Sequence, residues 1–261
     1  MLDAAGLEQI IKTYLLGVPR LTVAFMILPV LSKSVLGGSM VRNGAMLSFA
    51  LFIYPMTADS LPSDLSLADY FTILIKEMTL GLVIGYMAAV PFWIAEGVGF
   101  FIDNQRGAAM ASSVNPIMGE QTSPLGIFMT QIMVTIFVIS GAFLSLIIVM
   151  VQSYAVWPVG VLLPQFMTGL DTFILSQLDL VMELVVVLSA PVILAMFLSE
   201  FSLALISRFA PQLNVFFLAM PVKSAIALFV LILYLKYLVE HLYDLIEKTP
   251  SQIIEFMISS F

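Results

Sequence analysis

The 261 residues are 61% hydrophobic and only 10% charged, with a formal net charge of −7. Soluble domains usually carry about 25% charged residues, and disorder needs low hydrophobicity, so this composition excludes both classes. The absence of cysteine and the single histidine, His241, exclude disulfides, thiolate sites, Ser/His triads and multi-histidine metal sites. The sequence contains no basic run of the kind that would indicate a nucleic-acid partner. We expect an integral membrane protein without a cofactor.

Six apolar blocks predict the helices. They cover residues 7–31, 45–58, 71–93, 128–151, 178–198 and 215–238. A membrane-spanning helix needs about 20 apolar residues. The fourth block meets that length without a charge, whereas the second is short enough to be a half-span or part of a hairpin. The predicted fold is an all-α membrane protein, a single domain over residues 1–261 with about six apolar helices and helical hairpins.

Small residues and prolines modify these helices. Gly81, Gly85 and Ala89 recur at intervals of four, which permits close helix packing. Prolines within or at the ends of five blocks indicate kinks, either along a pathway or at ordinary span ends. These prolines are Pro29, Pro55, Pro91, Pro191 and Pro221.

Basic residues occur on the odd-numbered connections between blocks. The first connection contains Lys33 and Arg42, the third Arg106 and the fifth Arg208, whereas the second and fourth contain none. By the positive-inside rule, the odd connections face the cytoplasm and both termini lie outside.

Charged residues inside otherwise apolar stretches of the blocks include Lys76, Glu77, Glu183 and Lys223. Each costs about 2.5–3.5 kcal/mol at the centre of a membrane helix. The sequence leaves three interpretations open: an ion or proton relay, salt bridges between subunits, or side chains that reach the interface from span ends. We expect Lys76 to reach the interface, and Glu183 and Lys223 to be the candidates for a buried pair.

The third connection is long and rich in small residues. It begins with Asp103-Asn104-Gln105-Arg106-Gly107 and continues through Asn115-Pro116, which signals a turn. Ser123 and Pro124 suit the N-cap and first position of the following helix. A connection of this length is more than a tether, and its composition allows close packing and rearrangement. The simpler alternative is a surface loop.

The fifth connection has the composition of a polar hairpin tip between two apolar arms. Ser199-Glu200 and Arg208 precede Pro211-Gln212-Leu213-Asn214, and Pro221-Val222-Lys223 follows.

Together, these two connections resemble the export-gate T subunit of type III secretion systems, the SctT/FliR family, whose flagellar counterpart is the flagellar R protein. The layout of the apolar blocks agrees over the whole chain. The Gln-Arg-Gly and Thr-Ser-Pro-Leu forms resemble the virulence injectisome branch more than the flagellar branch. The resemblance is carried by Asp103-Asn104-Gln105-Arg106-Gly107, Asn115-Pro116, Thr122-Ser123-Pro124-Leu125-Gly126, Glu200, Arg208, Pro211-Gln212, Asn214-Val215-Phe216, Pro221 and Lys223.

The resemblance implies a place in a protein-export machine. In the family, one T subunit joins R and S subunits in a helical export gate. The gate lies at the bacterial inner membrane, in the centre of the basal body and next to the inner rod. Unfolded proteins pass through its central pore. Part of the gate is raised towards the periplasm, so fewer helices need to span lipid.

The resemblance also implies roles for residues. The connection after the third block would carry the plug that closes the pore, preceded by the Asp103–Gly107 motif. The plug residues would be Asn115, Pro116, Ile117, Met118, Gly119, Glu120, Gln121, Thr122, Ser123 and Pro124. The hairpin would face the cytoplasm and contact other subunits, including the switch-protein subunit. The hairpin residues would be Glu200, Arg208, Pro211, Gln212, Asn214 and Lys223.

Composition alone leaves a second function open, a stand-alone polytopic transporter or channel for a small solute. Kinked helices and charges inside the apolar blocks suit both functions. An intramembrane enzyme is poorly supported, because the sequence contains neither GxSxG nor HExxH. We therefore expect neither catalytic nor metal-binding residues.

Overall fold

The computed structural model describes residues 4–58, 66–107, 123–161, 170–209, 212 and 215–259. These ranges contain helices and no strand, which confirms the all-α prediction. The helices in chain order are α1 (Ala4–Ile27), α2 (Lys33–Leu36), α3 (Ser39–Ala58), α4 (Leu67–Gln105), α5 (Pro124–Ile139), α6 (Ala142–Val156), α7 (Leu170–Ser207) and α8 (Val215–Ser259), with a 3-10 turn at Pro29–Leu31.

Fewer helices can span a membrane than the six blocks predicted. Among the described residues, α4, α7 and α8 are long and apolar enough, and α5 with α6 would be a fourth span if the pair counts as one. These two helices are bent by 71°, so the expectation of one uninterrupted span over 128–151 is wrong. The break falls at Gly141, whose φ of 78° lies in the left-handed region that glycine adopts readily.

The described chain forms two compact units. The first comprises Met1–Val90, Val138–Leu175 and Ile246–Phe261, and the second comprises Pro91–Phe137 and Ser176–Leu245.

In the first unit, α1 and α4 pack with their backbones in contact. A Cβ atom on Gly85 would lie 2.8 Å from the Cα of Ala24, and one on Gly81 would overlap the carbonyl group of Arg20. Glycine is therefore required at both positions, since any side chain would force the helices apart. The predicted close packing at Gly81 and Gly85 is confirmed.

A buried ion pair joins the same two helices. The Nε and Nη2 atoms of Arg20 donate to Oε2 and Oε1 of Glu77, at 2.8 and 3.0 Å. Both side chains are 0% exposed. The guanidinium also donates to the backbone carbonyls of Ser153, at 2.7 Å, and Trp157, at 2.8 Å. Arg20 thereby joins α1 and α4 to the end of α6.

Lys76 completes this buried ion cluster, which we define as Arg20, Lys76 and Glu77. Its Nζ atom lies 2.9 Å from Oε1 of Glu77. It also donates to three backbone carbonyls, at 3.0 Å to Pro158, 2.8 Å to Val159 and 2.8 Å to Val161. Lys76 is 7% exposed, so the expectation that it reaches the interface is wrong. Carbonyls at and beyond a helix end lack partners within the helix, and Lys76 supplies the donors.

The ion cluster lies against an aromatic ring. The guanidinium of Arg20 stands 4.2 Å from the ring centroid of Tyr154, a cation–π contact. The Tyr154 hydroxyl donates to the carbonyl of Gly17 at 2.7 Å. The ring therefore holds α6 against α1 and covers one side of the buried charge.

Removing the anion of the ion cluster should strongly destabilise the chain. In Glu77→Gln, two buried cations lose the carboxylate with which they pair, and the expected loss of unfolding free energy is about 3–5 kcal/mol. Reversible unfolding of the detergent-solubilised chain measures this loss. The matched control is Glu240→Gln, because Glu240 is exposed on α8; its expected effect is below about 0.5 kcal/mol. Equal stabilities of the two variants would contradict the importance of the ion pair.

Candidate functional site

The two ends of the third connection are held together in the second unit. The Oδ2 atom of Asp103, near the end of α4, accepts from the hydroxyl of Ser123 at 2.7 Å. The same oxygen accepts from the backbone N–H of Leu125 at 2.9 Å. Asp103 is buried, so its carboxylate makes these contacts away from solvent. We call Asp103, Arg106, Ser123 and Leu125 the α4–α5 junction.

Ser123 caps the start of α5, as the sequence predicted. Its Oγ atom accepts from the N–H of Gly126 at 2.9 Å, and α5 begins at Pro124. The first N–H groups of a helix have no partner within the helix and carry partial positive charge. The Asp103 carboxylate therefore stabilises this helix start both by hydrogen bonding and by its charge.

Close backbone approach positions the junction. A Cβ atom on Gly99 would lie 2.5 Å from the carbonyl of Leu125, and one on Gly126 would lie 3.3 Å from the carbonyl of Glu96. Sequence reasoning missed the role of Gly99. Ala95 and Gly99, two small residues four apart in an apolar helix, were the available signal.

The rest of the 103–107 motif ends α4. The Nε atom of Arg106 lies 2.7 Å from Oδ1 of Asp103, one turn along the same helix. Gly107 has a φ of 84°, which favours glycine, and its N–H donates to the carbonyl of Asn104 at 3.1 Å. Asn104 and Gln105 are exposed. The motif thus combines a helix end with the carboxylate that holds the next helix.

Of the predicted plug residues, Ser123 and Pro124 belong to the start of α5, and Asn115 to Thr122 lie outside the described residues. Met220 of α8 lies beside the beginning of the connection, since a Cβ atom on Gly107 would be 3.7 Å from its Cε and Cγ atoms. No sequence pattern predicted this contact.

An ion pair joins the two arms of the α7–α8 hairpin. The Nζ atom of Lys223 lies 3.0 Å from Oε2 of Glu200. The predicted buried pair of Lys223 with Glu183 is therefore wrong, and Glu183 is exposed on α7. The reason is the register in which α7 and α8 face each other in the hairpin. Glu200 lies close to the end of α7 at Ser207, and Lys223 lies similarly close to the start of α8, so the two side chains meet across the hairpin.

The hairpin tip presents polar groups to the surroundings. Arg208 and Gln212 are both exposed. Pro211 and Asn214, the other predicted contact residues, lie outside the described residues.

The arrangement is suited to holding helix ends rather than a ligand. The Oδ2 atom of Asp103 accepts hydrogen bonds from Ser123 and Leu125, and its Oδ1 atom lies within ion-pair distance of Arg106 but accepts no hydrogen bond from the described residues. Across the described ranges, no group of three or more His, Asp or Glu side chains is placed to hold a metal ion.

Comparison with known proteins gives consistent matches over most of the chain. The model of the family described as bacterial export proteins, family 1, matches residues 11–249. Yop proteins translocation protein T of Yersinia pestis is 48% identical over 238 residues, which cover 90% of each chain. The surface presentation of antigens protein SpaR of Salmonella typhimurium is 33% identical, over 87% of this chain and 84% of that protein. The flagellar biosynthetic protein FliR of Bacillus subtilis is 27% identical, over 71% and 73%.

Neutralising Asp103 should loosen the start of α5. In Asp103→Asn, the amide replaces a charged acceptor, and the loss should resemble that of a helix cap, about 0.5–2 kcal/mol. Hydrogen exchange at the amides of Leu125, Gly126 and Ile127 should accelerate. The control, Asp179→Asn, neutralises an exposed carboxylate of the same unit and should leave this exchange unchanged. Unaltered exchange in Asp103→Asn would refute the role of the carboxylate.

Exchanging the charges of the hairpin pair tests the corrected register. Glu200→Lys and Lys223→Glu each place like charges together, whereas the double variant restores an opposite pair. Because the Glu200 side chain is 53% exposed, each single change should cost at most about 1 kcal/mol. Thermal unfolding in detergent should show recovery in the double variant. A double variant no better than the sum of the single variants would argue against the pair.

Proposed function

The chain belongs to the bacterial export proteins of family 1, the SctT/FliR family, and on this premise we propose that it is the T subunit of a type III secretion export gate. One copy would join R and S subunits at the centre of the secretion basal body, next to the inner rod. Its relatives are named for protein translocation, surface presentation of antigens and flagellar biosynthesis, and its apolar helices suit a multi-pass membrane protein. The proposed location is the bacterial inner membrane, with the gate partly raised towards the periplasm.

The α4–α5 junction is the observation that supports a plug most directly. It holds Ser123 and Leu125, at the start of α5, against Asp103, near the end of α4, so the helices on either side of residues 108–122 are tied to each other. A loop with fixed, adjacent ends can change its own conformation without moving the helices that carry it. We propose that Asn115 to Pro124 close the central pore, with Ser123 and Pro124 as the fixed end.

The proposed mechanism is displacement, without catalysis. Unfolded export substrates would push the connection aside, and it would return when the pore is empty. Methionine suits a reversible seal, because its unbranched and flexible side chain fills irregular gaps. The chain has 17 methionines, and Met220 lies beside Gly107, the last described residue before residues 108–122. Within this proposal, residues 1–261 form one export-gate domain.

The hairpin tip is the proposed contact with the switch-protein subunit. Arg208 and Gln212 are exposed there. Arg208 on this connection agrees with a cytoplasmic side by the positive-inside rule. The Glu200–Lys223 pair near the tip would keep the two arms together when a partner binds.

The alternative of a stand-alone transporter draws little support from the buried charges. In the ion cluster, Nζ of Lys76 is engaged by three backbone carbonyls, and both oxygens of Glu77 are engaged by Arg20. A proton or ion relay needs groups that can exchange partners, whereas these groups have roles in holding the fold.

Removing the connection should make the gate leak. Deleting residues 114–122 while keeping Ser123 preserves the junction and should raise ion conductance of the assembled gate in planar bilayers. Replacement by a Gly/Ser segment of equal length is the control that separates the seal from loop length, and it should also leak. Conductance at the wild-type level in both variants would overturn the plug assignment.

Co-purification separates the gate from the transporter. Expressed with R and S subunits and extracted in mild detergent, the chain should be recovered as a mixed complex with one copy per gate. Native mass spectrometry measures this stoichiometry. Recovery of a self-sufficient oligomer that transports a solute without R and S subunits would refute the gate.

A further inference from the structure

One face of α8 is apolar from Ala227 to Leu242. Ala227, Leu231, Leu238 and Leu242 are buried and recur at intervals of four or seven residues, as one face of a helix does. Their composition does not change from one end of this stretch to the other. The protein interior that they contact is therefore equally apolar throughout.

The opposite face changes its chemistry at one level. Phe229 and Leu233 are 65% and 70% exposed. Lys236, Tyr237 and Glu240, which continue the same side of the helix, are exposed as well. Because Phe229, Leu233, either Lys236 or Tyr237, and Glu240 follow each other at intervals of three or four, the change comes from position along the axis and not from rotation around it. The surroundings of the exposed face must change from apolar to polar between residues 233 and 236.

We propose that this face of α8 lies against the lipid bilayer, with acyl chains up to Leu233 and headgroups from Lys236 and Tyr237 onwards. Tyrosine is enriched at membrane–water interfaces, and lysine extends its charge from there into the headgroups. Ring contacts join Tyr237 to Tyr234, at 5.3 Å between centroids, and to His241, at 6.5 Å. Aromatic rings with polar tips thus follow directly after the apolar stretch.

The length of the apolar stretch fits a bilayer. From Val215, where α8 begins, to Tyr234 the helix rises about 28 Å, close to the roughly 30 Å thickness of the hydrocarbon core. Exposed polar residues, Arg208 and Gln212, precede it. Lys223 is the charged residue inside the stretch, and its pairing with Glu200 lowers the cost of placing it there.

Lipid fits this face better than another subunit does. A helix of another subunit would require an apolar surface along the part of the exposed face that it covers. It would not require tyrosine, lysine and carboxylate groups together at one level of α8. An interface between lipid and water requires just that succession. The inference concerns contact with lipid and does not depend on the plug.

Site-directed spin labelling tests the proposal. The chain has no cysteine, so Phe229→Cys, Leu233→Cys, Glu240→Cys and Asp244→Cys each carry one nitroxide. The gate, and separately the chain alone, would be placed in vesicles of phosphatidylethanolamine and phosphatidylglycerol. Collision with oxygen should dominate at 229 and 233, and collision with a water-soluble nickel chelate should dominate at 240 and 244. Leu238→Cys, on the buried face, is the control and should be shielded from both reagents.

Two results would overturn the proposal. Shielding of positions 229 and 233 from both reagents would mean that another protein covers the face. Nickel access at all four positions would mean that water does. If the labelled Phe229 or Leu233 variant is not recovered, Ile232→Cys replaces it, since Ile232 is exposed on the same face. If the chain alone shows oxygen access at positions 229 and 233 but does not assemble with R and S subunits, the result would support lipid contact and count against the proposed function.

Discussion

The bidentate pair between Arg20 and Glu77 is the interaction on which the first unit depends. In an apolar chain, each buried carbonyl needs a donor from the protein itself. Arg20 and Lys76 provide those donors for the carbonyls of Ser153, Trp157, Pro158, Val159 and Val161, and Glu77 balances part of their charge. The glycine contacts of α4 with α1 allow the approach that makes the pair possible. Close packing and charge burial are therefore two consequences of one arrangement.

Both ends of the bent pair α5–α6 are likewise stabilised by charged side chains from other helices. Residues 124–156 contain no Asp, Glu, Lys or Arg. At its start, the N–H groups of α5 meet the carboxylate of Asp103, and at its end the carbonyls of α6 meet Arg20. Anions favour the N-terminal end of a helix and cations the C-terminal end. A stretch without charge thus obtains stabilising charges from α1 and α4, and the most apolar part of the sequence is anchored by residues far from it in the chain.

Sequence reasoning succeeded where the determinant is local. The apolar blocks, the Ser123 cap and the close packing at Gly81 and Gly85 follow from spacing and residue type. It failed where the determinant is register between distant segments. Arg20 lay inside the first block without an obvious partner, because Glu77 follows 57 residues later. Lys223 pairs with Glu200 rather than Glu183 because the hairpin sets which residues face each other. The break at Gly141 carries no proline, so the apolar length of 128–151 suggested a single span.

Charge on these helices is informative only together with its partner. Lys76, Glu77 and Asp103 are buried, and each contacts backbone groups or an opposite charge that gives it a structural role. Lys236 and Glu240 are exposed beyond an apolar stretch. A buried charge in an apolar helix must be compensated inside the chain, whereas an exposed one must be compensated by its surroundings. The first kind therefore identifies the contacts that hold the fold, and the second identifies where the surroundings of the protein change.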